Sequence, residues 1–368
     1  MKRAKNVKSL VFKIINIVVV AGLGAFLVYY LLSGIEFADL KKSFLQAHIP
    51  SLLTGFALWV IMDVTKTYRQ KILVGSSDIR YGDMFLVTLV RDAFNMVLPA
   101  RTGELSYIYV LKRKFKMPVE VGVSTLAIGL IFELIIVFCM IIIAIVIVGV
   151  NRFAVSSTTV IFIAAGLLAA SLLLLFYLSK IVALFIRLGG YLIKRFEKLK
   201  NSKAFNYVFK KLVETNRSIE TIQQRKVYWK VYLLSIGNRV FKYSSYYFLI
   251  HAFLKPLGYN FSDLPYWNIL LATIAAEISA VLPTHAVAGL GTYQGAFVLA
   301  SVGLGFSREH ATIAGFNYHI VNLSVTVIQG LIAVIILVLP FYKSKRDMAI
   351  GQKAQSDPPG DNGKNRKD

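Results

Sequence analysis

Phe94-Asn-Met-Val-Leu-Pro99-Ala-Arg101-Thr-Gly103-Glu104 closes an apolar run that begins at Met84, and its reading decides how often the chain crosses a bilayer. Proline has no backbone N–H to give a helix, and the residue before it is pushed towards extended backbone. A helix arriving from Met84 therefore stops at Leu98–Pro99. Gly103 then permits a tight turn. Either this helix crosses and Arg101–Pro118 lies on the far side, or the chain turns back inside the membrane.

The solvent for most of the chain is lipid. The 368 residues are 56% hydrophobic and only 17% charged, with a mean hydropathy of +0.62. Apolar runs recur at Ile14–Leu32, Pro50–Thr65, Met84–Pro99, Val121–Val150, Ser156–Leu178, Val231–Leu254, Asn268–Leu282 and Ala311–Leu339. A helix needs roughly 20 such residues to cross a bilayer, and backbone groups in hydrocarbon must be satisfied within the segment, so the runs predict helices. The basic start of the chain followed by Ile14–Leu32 reads as a retained first span, because no convincing small-residue cleavage site follows.

Charge chooses between the two readings of Pro99. The net charge is +23. In a soluble protein that would point to nucleic acid, but here the basic residues cluster between apolar runs, where they orient the protein and meet anionic lipid. Eight full crossings put +12 on the inner face and +14 on the outer, against the positive-inside rule. Suppose instead that residues 84–117 enter from inside and return, and that 266–307 enter from outside and return. The inner face then carries +25 and the outer +1. The expected fold is all-α and polytopic, with six full spans, two re-entrant hairpins and both termini cytoplasmic.

The second hairpin repeats the first. Ile278-Ser-Ala-Val-Leu-Pro283 precedes a turn carrying Gly289 and Gly291. The two prolines lie 184 residues apart, half the chain. Inverted repeats with helices broken near the midplane are a common way to build a transport site. The expected organisation is a transmembrane domain over residues 1–340, split into halves 1–180 and 231–340 by a basic cytoplasmic segment, 181–230. Within that segment Leu184–Phe196 suits a helix lying on the anionic inner leaflet. The tail, residues 341–368, is polar without periodicity and is expected to be disordered.

These motifs resemble a known family. Asn95…Leu98-Pro99…Gly103-Glu104-Leu105 is similar to the Asn…Leu-Pro…Gly-Glu-Leu signature of the lysylphosphatidylglycerol synthase transmembrane region, the flippase-like or UPF0104 family. Leu282-Pro283, Gly289-Leu-Gly291-Thr-Tyr-Gln294-Gly295 and Gly303-Leu-Gly305 resemble its second half. The likeness covers roughly residues 10 to 340. It departs at Gln294, where Glu is frequent; at Leu130 and Glu133, where Arg and Asp are common; and at His319, where Arg is frequent. The resemblance implies a lipid flippase of the bacterial plasma membrane, best known for lysylphosphatidylglycerol and resistance to cationic antibiotic peptides. Lysyl transfer in full-length relatives belongs to a soluble carboxy-terminal domain, so phosphatidylglycerol lysyltransferase activity is not expected of this chain alone.

Charged residues within spans are costly and are functional candidates by default. The candidates for contact with a phosphate headgroup are Arg91, Arg101, Arg239 and Lys242, and those for amines are Asp92, Glu104, Glu133 and Glu277, with Asn95 beside them. Pro99, Gly103, Pro283, Gly289 and Gly291 shape the turns. Asp63 lies near the end of its run, where snorkelling towards the interface is the simpler expectation. Arg239, Lys242, Tyr243 and Tyr246 share one helical face. The single Cys139 and five histidines show no metal-binding spacing, no serine–histidine–acid or zinc-deaminase set is present, and no cofactor or nucleic acid is expected. Three functions remain open: a lipid carrier (including a carrier of a polyprenyl-linked sugar), an enzyme of lipid modification, and a membrane partner of a separate lipid synthase or glycosyltransferase. A homo-oligomer is compatible with each.

Overall fold

The computed structural model describes residues 26, 28–33, 36–98, 102–149, 157–196, 201–279 and 287–339. Every regular element among them is a helix. In chain order these are α1 (Phe37–Leu45), α2 (Ile49–Val74), α3 (Tyr81–Val97), α4 (Glu104–Phe115), α5 (Val119–Val148), α6 (Ser157–Arg195), α7 (Lys203–Gln224), α8 (Tyr228–Leu254), α9 (Tyr266–Ser279), α10 (Thr292–Gly303) and α11 (Arg308–Val338). Three short 3₁₀ turns follow α8 or precede α10.

The boundaries follow from local chemistry. Pro50 sits in the first turn of α2, where a missing N–H costs nothing. Gly75 ends that helix at φ 66°, a left-handed position that favours glycine. Pro118 precedes α5, and Gly149 ends it at φ 94°. Ser307 caps α11 by accepting a hydrogen bond from the His310 N–H at 3.2 Å.

Ile49–Val74, Val119–Val148, Thr158–Tyr191 and Arg308–Val338 are each long and apolar enough to cross a membrane. Their outward faces carry bare apolar side chains: Phe162 is 72% exposed and Phe176 68%. A soluble surface would not tolerate so continuous a cover, so this is an all-α membrane protein. The expected first span, residues 14–32, lies mostly outside the described residues. So do the 341–368 tail and the residues of both turns from 99 to 101 and from 280 to 286.

Both hairpins fold back on themselves. Helices α3 and α4 have 17 and 12 residues, and α9 and α10 have 14 and 12. At 1.5 Å per residue each arm is roughly 18–26 Å long, short of the ~30 Å hydrocarbon layer. In the first hairpin Asn95 Nδ2 donates to Glu104 Oε1 at 3.0 Å. Tyr107, Leu111 and Phe115 of α4 share a core with Met84, Val87 and Val90 of α3. In the second, Ser279 Oγ donates to the Thr292 carbonyl at 3.4 Å.

The two halves have one plan. A long helix, two short ones and a second long helix make up α2–α5, and the same order makes up α8–α11. The leading helices of the halves pack antiparallel: Ser51 Oγ meets His251 Nδ1 at 2.8 Å, Ser245 Oγ donates to the Gly55 carbonyl at 2.8 Å, and Asn238 Nδ2 donates to the Met62 carbonyl at 3.0 Å. The halves are therefore inverted. Each hairpin then lies against the other half, α3 on α11 and α9 on α5. Trp59, Tyr243, Tyr246, Leu249, Phe297 and Tyr318 anchor the shared core.

Two sequence expectations need correction. Helix α2 does not end at Thr65 but runs nine residues further, to Val74, because Lys66–Val74 keeps its apolar face buried through Leu73 and Val74. Leu184–Phe196 does not start a surface helix of its own: residues 184–195 continue α6, which is 39 residues long.

Candidate functional site

The inverted halves enclose a cavity of about 380 Å³ lined from α2, α3, α4, α5, α8, α9, α10 and α11 and from the 3₁₀ turn before α10. Among the described residues ten charged side chains line it, five basic and five acidic. They form two connected ladders.

The first is rich in acid. Lys66 Nζ of α2 lies 2.7 Å from Asp92 Oδ2 of α3 and 3.6 Å from Asp63 Oδ1 of α2. Arg91 pairs with Asp92 at 3.0 Å and reaches Glu104 at 3.9 Å. Three carboxylates thus share two cations. Asp63 is 2% exposed, and its Oδ2 has no hydrogen-bond partner.

The second ladder is rich in base. Glu133 of α5 bridges Arg69 of α2 at 2.5 Å and Arg239 of α8 at 2.6 Å. Arg239 continues to Glu277 of α9 at 3.3 Å, which holds Lys242 at 2.5 Å. Tyr243 Oη also donates to Glu277, at 3.3 Å. Three cations here share two carboxylates. Charges in this setting persist only when paired, since an isolated buried ion costs far more than its helix can supply.

The structure gathers Arg91, Asp92, Asn95, Glu104, Glu133, Arg239, Lys242 and Glu277 around this one cavity. Arg101, Pro99 and Pro283 fall outside the described residues. Gly103 stands at the first turn for a different reason from the one expected. Its φ is an ordinary −58°, but a Cβ there would lie 2.2 Å from the Asn95 backbone nitrogen, so the close approach excludes a side chain. Gly289 and Gly291 do take positive φ, 69° and 85°. Asp63 does not reach outward as snorkelling would require: it is buried in the cavity wall.

Lys66 and Arg69 are the main residues the sequence reading missed. The apolar run ends at Thr65, so hydropathy alone assigns both to a connection. Asp63, Lys66 and Gln70 nevertheless recur at spacings of three and four, which would have carried the helix onward. His319, Asn322, Thr326 and Gln329 form a stripe on α11 facing the same cavity, of which the sequence reading singled out only His319. His319 Nε2 donates to the Ala288 carbonyl at 2.9 Å and ties α11 to the second turn.

Residues 13–330 match the model of a family described as the lysylphosphatidylglycerol synthase TM region. The chain belongs to this family. Comparison with curated proteins gives no match. Membership ties the protein to the metabolism of membrane lipid. Two of the three departures from the family pattern, at Leu130 with Glu133 and at His319, line the cavity. Glu133 is the bridge between two arginines, Leu130 is a 44% exposed apolar sill beside it, and His319 holds the second turn. Gln294, fully buried, accepts a hydrogen bond from the Gly291 N–H at 2.7 Å and caps α10. Among the described residues no group of three or more His, Cys, Asp or Glu stands close enough to hold a metal ion.

Proposed function

We propose that this protein is a lipid flippase, moving a phospholipid with a cationic aminoacyl headgroup, lysylphosphatidylglycerol in the first instance, across the bacterial plasma membrane. The observation that carries the reading is the pair of ladders with opposite surplus charge facing one cavity. A headgroup of this class has a phosphodiester and, further out, amines. The phosphodiester suits the arginines and lysine of the base-rich ladder, which can offer forked and point donors. The amines suit the surplus carboxylate of the acid-rich ladder. Acyl chains stay in lipid, with Leu130 on the route between cavity and bilayer.

The inverted halves supply a means of alternating access, one half rocking against the other around a fixed site. In this reading the chain has six full spans, the first hairpin enters from the cytoplasm and the second from outside, and both termini are cytoplasmic; the charge asymmetry of the connections supports it. The basic face then lies on the anionic inner leaflet, and a separate synthase supplies the aminoacyl lipid.

The test is translocation of labelled lysylphosphatidylglycerol in proteoliposomes holding the full chain. Movement above protein-free vesicles, reduced in an Arg239→Gln variant, is the expected result. Equal movement with and without protein, for this lipid and for phosphatidylglycerol, would refute the reading.

A further inference from the structure

The acid-rich ladder holds two carboxylates that its cations reach only loosely: Glu104, 3.9 Å from Arg91 but partly exposed and accepting from Asn95, and Asp63, which is buried. Asp92 takes the short contact from Lys66 and a second cation from Arg91. Asp63 is left with a 3.6 Å contact to the same Lys66, and its other oxygen is buried without a partner. Among the described residues the surroundings supply no further cation to it. On its own helix the Trp59 indole N–H donates to the carboxylate, and Lys66 lines the cavity with it. Helix α3 brings Asp92, and Tyr81, whose hydroxyl donates to the Val64 carbonyl at 2.9 Å. From α8, Asn238 is held by the Met62 carbonyl and Lys242 by Glu277. From α5, Glu133 is held by two arginines. A buried carboxylate in this position needs a positive charge or a proton.

We propose that Asp63 is a proton-binding site whose proton and the substrate's ammonium exclude one another, so that the flippase works as a proton–lipid exchanger. This rests on the transport reading above and adds its energy source. In the empty cavity Asp63 carries a proton, which cancels the surplus charge of its ladder. When an aminoacyl headgroup enters, the Asp63 O–H bond breaks, the proton leaves to water on the side of entry, and the ammonium N–H donates to the carboxylate. On the other face the order reverses: the headgroup leaves as a proton is taken up. Each cycle moves one lipid outward and one proton inward, and no other reactant is required.

The exchange fixes what a pH gradient must do. In proteoliposomes holding the full chain, the leaflet distribution of labelled lysylphosphatidylglycerol should shift with an imposed gradient, by up to about tenfold per pH unit for one proton exchanged. It should reverse when the gradient is reversed, and the Asp63→Asn variant should lose this response. A wild-type distribution that ignores the gradient, or a variant that still follows it, overturns the proposal. Absence of any movement by the wild-type protein would sink the transport reading instead. The proton site is then decided by infrared difference spectra of wild-type against Asp63→Asn protein at neutral pH. A protonated carboxylic acid band that disappears in the variant supports the site, and no such difference overturns it.

Discussion

The two ladders are built from the same kinds of side chain yet do different work. The base-rich ladder runs through α2, α5, α8 and α9, so it crosses between the inverted halves, and each of its carboxylates is shared by two cations. The acid-rich ladder stays within the first half, on α2, α3 and α4, and ends in Asp63 at one side and in Glu104, with a 35% exposed side chain, at the other. A saturated ladder that joins two bodies resists rearrangement. An undersaturated one on a single hairpin is free to change partners. Position and satisfaction, not charge alone, separate a fastening from a working part.

The largest effect should come from breaking the fastening. Glu133→Gln leaves Arg69 and Arg239 buried without the carboxylate both depend on. Removing one partner of a buried ionic network costs about 3–5 kcal/mol, so the variant should melt far below the wild type in nanodiscs. A melting point within a few degrees of wild type would remove the distinction between the ladders.

A second break is steric. Gly103→Ala places a methyl group 2.2 Å from the Asn95 nitrogen and forces the tip of the first hairpin apart. Overpacking of this kind costs about 1–3 kcal/mol. Because Asn95 and Glu104 meet at that tip, transport should fall further than the melting point does. Leu105→Ala, with a side chain 66% exposed beside the same turn, should do neither. Parallel loss of both properties in Gly103→Ala, with no excess loss of transport, would mean that the hairpin tip serves packing alone.

Within the acid-rich ladder, Lys66→Met removes the shared ammonium. Asp92 keeps Arg91, so the stability loss should be smaller than for Glu133→Gln, about 1–3 kcal/mol as for an unmade buried hydrogen bond. Thermal melting of the two variants side by side gives the ranking, and an inverted order would contradict it.

Much of this comparison was legible in the sequence. The two Val-Leu-Pro segments and the charge on the connections point to doubled-back hairpins and a repeat through local rules, where proline stops a helix and where lysine and arginine settle, and the short paired helices of each half match that reading. Eight of the nine candidate charged and polar residues meet in one cavity; the ninth, Arg101, is outside the described residues. What could not be read was pairing. Lys66 and Arg69 were lost because an apolar run ends before the helix does, a boundary set by tertiary burial of Leu73 and Val74. The difference between Glu133, bridging two arginines, and Asp63, nearly bare, depends on which helices pack together, and no spacing along one helix reveals that.

The smallest effect on stability should fall on the residue most important to coupling. Asp63→Asn replaces a buried acid, whose ion pairing is a single loose contact to Lys66, with an amide of the same shape. The amide oxygen can still accept from Lys66, and its NH₂ needs no counter-charge. With Asp63 protonated in the empty cavity, the substitution exchanges one neutral polar group for another, so the variant should melt within about 1 kcal/mol of wild type. Paired with Glu133→Gln, it tests the comparison directly: two neutralised acids in one cavity, one expected to loosen the protein and one to leave it intact. A large destabilisation by Asp63→Asn would mean that Asp63 is as firmly bound into its ladder as Glu133 is, and the acid-rich ladder would then be a second fastening.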